Sequence, residues 1–485
     1  LNPTLRYKLK TKAPKLYFCK LSLLASFILL FLSNCSFVSY ETRPLAGEKI
    51  VEKINAKDQE DPSFREFLQN QGMKDDQIPI KEWGINELML AALFFNPKIE
   101  IAKKEWGIAK DQESIAAIKP SSSVGLDLGQ ESNHIDKSGK GRGINFSTLF
   151  ETANKAKIRE ERAVNQTLIK RLELRKLAWD IKTELTSTYL LYQKSLLNIQ
   201  AIRSEVKMQN DIVNMLKKRK MAGIASSSEL DLSQLELNKN IQKLNDEQIQ
   251  IVELRAKLGK ITGLTPEKFN LLTLAPLNAD TFINEFDLIL NNESSRNKLN
   301  NLGIYNRIDL RIALAQYALA ESKLKLQIAE QYPDITFSPA YLYDYGASKW
   351  ILGLSTLIPS VSKNKALINE AKKISDIEVL SIEKLQTSIL NDIQKLSDNY
   401  QTNHATVKKG IEDNRSILAI ESGLDRKFNN GEIDRLEFTK EKLKNMQFKQ
   451  KLYENKVALV QSGFDFESIL QYPIIQQTQI VTNEK

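Results

Sequence analysis

Ala222-Gly223-Ile224-Ala225-Ser226-Ser227-Ser228-Glu229 returns 208 residues later as Asn430-Gly431-Glu432-Ile433-Asp434-Arg435-Leu436-Glu437. In each copy a glycine stands where one helix can end. A Ser or Asp follows where the next can begin, and a Glu three residues on completes a capping box. Each copy therefore reads as the tip of a helical hairpin. From Phe150 to Met221 there are 72 residues without Gly or Pro, enough for a helix of roughly 108 Å. A duplicated hairpin of that length fixes the architecture before any other feature is considered.

Outward from the first tip, apolar residues Leu185, Tyr189, Tyr192, Leu196, Ile199, Val206 and Val213 recur at spacings of three, four or seven. This is the stripe of a helix packed along another, interrupted at Arg203 and Asn210. Ahead of it, one helix is expected from Ile85 through Asn96-Pro97 to Lys119, ended by Pro120. A strand over 124–129, a polar loop over 130–141 and a strand from Ile144 to Leu149 alternate at period two. Copy two repeats the order, with a helix from Arg307 to Glu330 stopped by Pro333. Strands follow over 335–345 and 350–358, then a helix from Ser362 to Asn429 and a return helix from Asp434.

The expected domains follow. Residues 1–34 read as a signal peptide, 35–82 as an extended leader and 83–266 as repeat one, with its β-hairpin at 123–149 and tip at 222–226. Residues 267–305 form a link. Repeat two covers 306–470, with its β-hairpin at 335–358 and tip at 430–434, and 471–485 is a polar tail. The fold class is mainly α with a small β part.

The net charge of +9 is no nucleic-acid signal, because Arg6, Lys8, Lys10, Lys12, Lys15 and Lys20 supply six of it inside residues 1–34. The rest is spread over mixed-charge helical faces. Those basic residues precede an apolar run, Leu21 to Leu32, too short to span a bilayer as a helix but suited to a signal peptide. It ends Leu32-Ser33-Asn34-Cys35, which resembles a bacterial lipobox with Cys35 as the lipidated residue. Asn34 departs from the usual small residue. No later stretch of about 20 apolar residues follows, so a membrane crossing by the mature chain requires a closed β-barrel.

In this order the motifs resemble those of the TolC-like outer-membrane efflux proteins. Asn306-Arg307-Ile308-Asp309-Leu310 running on to Tyr332-Pro333, Trp350-Ile351-Leu352-Gly353-Leu354 before Ile358-Pro359, and the Gly431 tip before Leu436-Glu437-Phe438 carry the resemblance, which covers about residues 83–470. Ile308 stands where the family has Pro, Leu149-Phe150-Glu151 lacks a strand-exit proline, and the tips differ from a Val-Gly-Leu form. The resemblance implies a homotrimer in the bacterial outer membrane, with a barrel of about twelve strands continued by an α-helical periplasmic tunnel. It implies a passive exit duct for a tripartite efflux or type I secretion system, partnered by a periplasmic adaptor and an inner-membrane transporter. A non-pore periplasmic scaffold or adaptor is the competing reading, though an adaptor should carry one hairpin between compact β domains.

Glu229 and Glu437 read first as capping residues. The resemblance adds a role at the periplasmic gate, where three copies would raise one another's pKa and favour cations. Gly223, Ile224, Gly431 and Glu432 are turn residues and candidates for adaptor docking. Tyr341, Tyr343, Tyr345 and Trp350 are either core aromatics or a membrane-interface girdle. His134 and His404 are the only histidines, so neither a metal site nor any cofactor is expected, and no nucleophile–base pair suggests an enzyme.

Overall fold

The computed structural model describes residues 38–42, 44–131, 139–290, 301, 307–344 and 346–475. The signal peptide, Cys35, His134, Tyr345 and most of the polar tail lie outside them. The chain divides at Lys53/Ile54 into two units. The first runs into α1 (Gly47–Asn55), and everything below belongs to the second.

Helix α2 (Pro62–Asn70) opens the second unit, capped by Asp61, whose side chain accepts from the Ser63 amide. The expected extended leader is therefore helical here, with Phe64 and Leu68 fully buried and Phe67 packed partly against the same core. Phe64 sits among Phe67, Trp83, Phe94 and Phe95. Next come α3 (Ile85–Phe95) and α4 (Pro97–Ala116), two helices where one was expected. Pro97 disfavours helical backbone at the residue before it. Asn96 accordingly turns extended and caps α4, while its amide nitrogen donates to the Ile261 carbonyl at 2.8 Å.

Strands β1 (Ser123–Glu131) and β2 (Gly139–Phe150) precede α5 (Lys155–Met221), which returns as α6 (Ser227–Thr262). Both strands extend into the expected loop. The stretch 267–305, expected as a link, contributes to the core: α7 (Pro266–Asn270) and α8 (Ala279–Leu290) bury Phe269 and Phe286. Trp83 and Leu274 form a parallel bridge. Copy two contributes α9 (Ile308–Ala329), β3 (Ile335–Asp344), β4 (Ala347–Thr356), α10 (Val361–Asn429) and α11 (Arg435–Leu470). Beyond Pro473, Ile474 and Ile475 bury against the same core, so the tail is held at its start.

The two repeats are covered unequally. Helix α5 buries 21 of its 67 residues and α10 only seven of 69. In α5 the expected stripe is buried at Leu185, Tyr189, Tyr192, Ile199 and Val213. A straight helix drifts about 20° per heptad from a seven-residue repeat, and at Arg203 and Asn210 the seam has moved to Ile202, Glu205 and Gln209. Several polar groups there are matched across the hairpin, although the buried Asn240 side chain is not. Glu247 accepts from Ser195 and Asn198, and Gln209 donates to the Ser233 hydroxyl. Burial pushes the Glu205 carboxyl up despite Lys243 and Gln447 beside it.

One buried ion pair joins the repeats. Lys182 of α5 meets Glu467 of α11, with side chains 5% and 2% exposed. The ammonium lies 4.7 Å over the Trp179 ring, and Glu467 also accepts from the Ile474 amide. Removing one partner leaves an uncompensated charge in the interior. Glu467→Ala is expected to cost about 3 kcal/mol, read as earlier loss of the helical signal in a denaturant titration. The paired change Lys182→Met with Glu467→Leu should recover most of it.

Candidate functional site: the sheet face and the hairpin tips

Four antiparallel strands pair in the order β1-β2-β3-β4, so the β-hairpins of the two repeats lie side by side in one sheet. The strands have nine, 12, ten and ten residues, the length a tilted strand needs to cross a bilayer. Register sorts the side chains. Leu126, Ile144, Tyr341 and Trp350 oppose one another in one row, and Pro339 opposes Leu352. That face is apolar and open: Leu126 is 75% exposed, Trp350 83% and Leu354 68%. The other face carries Gly125, Asp127, Asn145, Ser147, Ser338 and Lys349, with Asn145 donating to Asp127 at 2.9 Å and the Ser147 and Ser338 hydroxyls 3.1 Å apart. Apolar on one side and polar on the other at period two is the pattern of a barrel wall with lipid outside and a wet lumen. Among the described residues the outer edges of β1 and β4 have no strand partner.

Of the expected aromatics, Tyr341 packs on Trp350 with ring centroids 4.9 Å apart, and its hydroxyl lies 2.9 Å from that of Ser348. Tyr343 lies under the Arg142 guanidinium at 5.4 Å. Trp350 is exposed and Tyr341 and Tyr343 are half-buried, and all three lie on the apolar sheet face rather than in a core cluster.

Asp334 ties the sheet to the helices. Its carboxylate takes the Thr152 amide at 2.9 Å and the Lys155 ammonium at 2.6 Å. Thr356 donates to its carbonyl. Burial pulls this carboxyl up, but the bonds from Lys155 and Thr152 hold it below the usual carboxylate range. Ala153 and Asn154 adopt positive φ of 54° and 57°, the sharp strand-to-helix turn that copy one makes without a proline. The missing proline is visible in the sequence, whereas its substitute depends on Asp334, 182 positions from Thr152.

About 100 Å along α5 from the sheet, both tips form the same cap. Gly223 and Gly431 have φ of +71° and +75°, the left-handed region that glycine enters without steric cost. The Ile224 amide donates to Arg219 and that of Gly223 to Lys220; Glu432 donates to Lys427 and Gly431 to Phe428. Both are Schellman motifs. Ile224 projects, 74% exposed. Ser226 accepts from the Glu229 amide, and Asp434 from those of Leu436 and Glu437.

The reciprocal halves of the expected capping boxes are absent. The Glu229 carboxylate instead pairs with Lys440 at 3.1 Å, and Asp434 pairs with Arg219 at 2.7 Å. Two ion pairs thus cross between the repeats beside the tips. The Arg219 guanidinium holds the Asp434 carboxyl below its ordinary range. Glu432 accepts from Asn430 at 3.1 Å, whereas Glu437 is exposed and pairs with no cation among the described residues. The sequence signal for the crossings was a basic last turn, Lys218-Arg219-Lys220, opposite an acidic cap.

Among the described residues no group of three His, Cys, Asp or Glu is placed to hold a metal ion. Nor is any helix long and apolar enough to cross a membrane.

No family model matches the chain and no curated protein resembles it by sequence. Solved structures do. The outer-membrane channel OprN aligns with a TM-score of 0.63 at 14% identity, over 91% of this chain and 100% of its own. CmeC, an outer-membrane channel of Campylobacter jejuni, aligns at 0.61 and 12%, over 80% and 85%. The outer membrane protein VceC of Vibrio cholerae aligns at 0.57 and 15%, over 78% and 95%. At such identities the likeness concerns the fold, and the chain has the fold expected of a TolC-like outer-membrane protein.

Asp434 serves two roles that substitution can separate. Asn caps a helix as well as Asp but forms no ion pair, so Asp434→Asn should keep the start of α11 and free Arg219. A depressed carboxyl contributes above its ordinary titration range, and that contribution is lost as pH falls through its lowered value. Hydrogen exchange at the tips, relative to the intrinsic rate at each pH, should therefore rise as pH falls from 7 to 3 in the wild type. In Asp434→Asn it should already be raised at pH 7.

Proposed function

We propose that this chain is an outer-membrane exit duct, acting as a homotrimer and passing substrates from a periplasmic adaptor and an inner-membrane pump to the exterior. The observation that carries the reading is the sheet. It has four membrane-length strands, apolar on one face and polar on the other, with both edges open. Four strands cannot enclose a passage, whereas three copies joined β4 to β1 give about twelve and a closed wall. Closure also satisfies the backbone groups of both edges, as hydrocarbon requires.

The helices ask for the same assembly. On α4, Ile101, Ile108 and Ile115 stand 57–63% exposed at seven-residue spacing, and on α10 Ile377 and Leu380 are similarly bare. Stripes of this kind on a lone chain call for partner helices. Continued as a tunnel, α5, α6, α10 and α11 would line a path about 100 Å long toward tips that present Gly223, Ile224, Gly431 and Glu432 to an adaptor. Cys35 would supply the lipid anchor. Glu437, exposed and unpaired by a cation, suits a carboxylate ring at the periplasmic mouth. A passive duct draws its energy from the pump and needs no cofactor or catalytic group.

The scaffold reading has no use for a two-faced sheet. The two separate in a fractionation: a heat-modifiable, SDS-resistant trimer in the outer-membrane fraction is the expected outcome, and a soluble periplasmic protein overturns the proposal. In planar bilayers, Glu437→Gln should lower the cation-to-anion permeability ratio by about twofold or more. An unchanged ratio removes Glu437 from the gate without touching the duct.

A further inference from the structure

The ladder between the two β-hairpins is broken at one place. Pro339 sits in β3, with a strand on either side and no amide to donate. Residues 142–145 of β2 pair with 340–343 of β3, and pairing resumes only at Thr148 and Phe337. Phe146, Ser147, Ser338 and Pro339 are left out of that ladder, while Pro339 stays in register with Leu352 of β4. On the apolar face a groove of about 670 Å³ lies over the gap, walled by Val124, Ile144, Phe146, Pro339, Tyr341 and Trp350. Closure of a barrel through β1 and β4 adds strands at the edges and leaves this face uncovered.

The next row of the same face, toward the strand ends remote from the helices, is Leu128, Arg142, Tyr343 and Ser348. Arg142 is the only charged side chain of that face among the described residues. Its guanidinium lies on the Tyr343 ring at 5.4 Å and meets no carboxylate among the described residues. The Tyr341 and Ser348 hydroxyls, 2.9 Å apart, link this row to the groove below it.

We propose that the groove and Arg142 together hold one lipid with a net negative phosphate headgroup. The site rests on the reading of this face as the lipid side of an outer-membrane wall. A guanidinium is costly in hydrocarbon and is kept at the interface, where its planar fork matches phosphate oxygens. Arg142 stands two residues beyond Ile144, about 7 Å along the strand. A phosphate on Arg142 therefore sets its own acyl chain down over Ile144 and Pro339, where the broken ladder has left room. A zwitterionic headgroup carries an ammonium against its phosphate and gains less from Arg142. The occupant is thus selected by charge at the rim and accepted by shape below it.

Trp350 walls the groove and reports on it. The full chain is reconstituted in phosphatidylethanolamine vesicles containing a minor fraction of chain-brominated lipid, either phosphatidylglycerol or phosphatidylethanolamine. Bromine quenches tryptophan only at close range, and the quenching lost in Trp350→Phe is that of Trp350. The brominated phosphatidylglycerol should be about two- to fivefold enriched beside Trp350 over its share of the bilayer. The brominated phosphatidylethanolamine should show no enrichment, and Arg142→Gln should make the two lipids equal. Equal quenching in the wild type, or a preference that survives in Arg142→Gln, overturns the lipid site and leaves the duct standing. A Trp350 that neither brominated lipid quenches overturns the lipid-facing wall, and the duct with it.

Discussion

A helix of about 100 Å cannot cover its own apolar stripe, and this chain contains two of them. Everything else in the second unit answers that constraint. Helix α5 is roofed by α6, α11, α4 and α9, and α7 and α8 close the core around its middle. Helix α10 is flanked by α9 and α11 and keeps a bare side. The hairpin is therefore an incomplete object twice over: each repeat needs the other, and the pair still exposes isoleucines at heptad spacing.

The interior also contains polar contacts that an all-apolar seam would lack. Lys182 and Glu467 are buried together, and Glu247 collects the hydroxyl of Ser195 and the amide of Asn198. Such pairs add little net stability compared with apolar packing. They do penalise sliding, because a one-turn shift of either helix strands a buried charge. Long parallel surfaces with repetitive aliphatic residues are prone to such slips, and these polar contacts mark one register as right.

Local features were legible in the sequence where local physics decides them. The Schellman glycines, the Ser226 and Asp434 caps and the period-two strands are each settled within a few residues, and the structure has them where the sequence places them. Features decided by distant contacts were not. Asn96 breaks a helix partly because the Ile261 carbonyl receives its side chain. Phe64, Phe269 and Phe286 turn two polar-looking stretches into core. The Arg219–Asp434 and Lys440–Glu229 pairs join residues more than 200 positions apart, and no spacing rule connects them. Glu229 shows the contrast within one residue: its backbone amide does what the capping motif predicts, while its carboxylate crosses to the other repeat.

The open edges of β1 and β4 bear on how the molecule comes to exist at all. A lone protomer carries two unpaired strand edges and an apolar sheet face, the surface most ready to pair with the wrong neighbour. In the proposed trimer, local helices can form within one chain, but the sheet gains its full stability only when other copies arrive. On that proposal, a scarce chain waits longer with its edges open to proteases and wrong neighbours. Yield should therefore be governed by whatever shields those edges in transit, more than by the stability of any one chain.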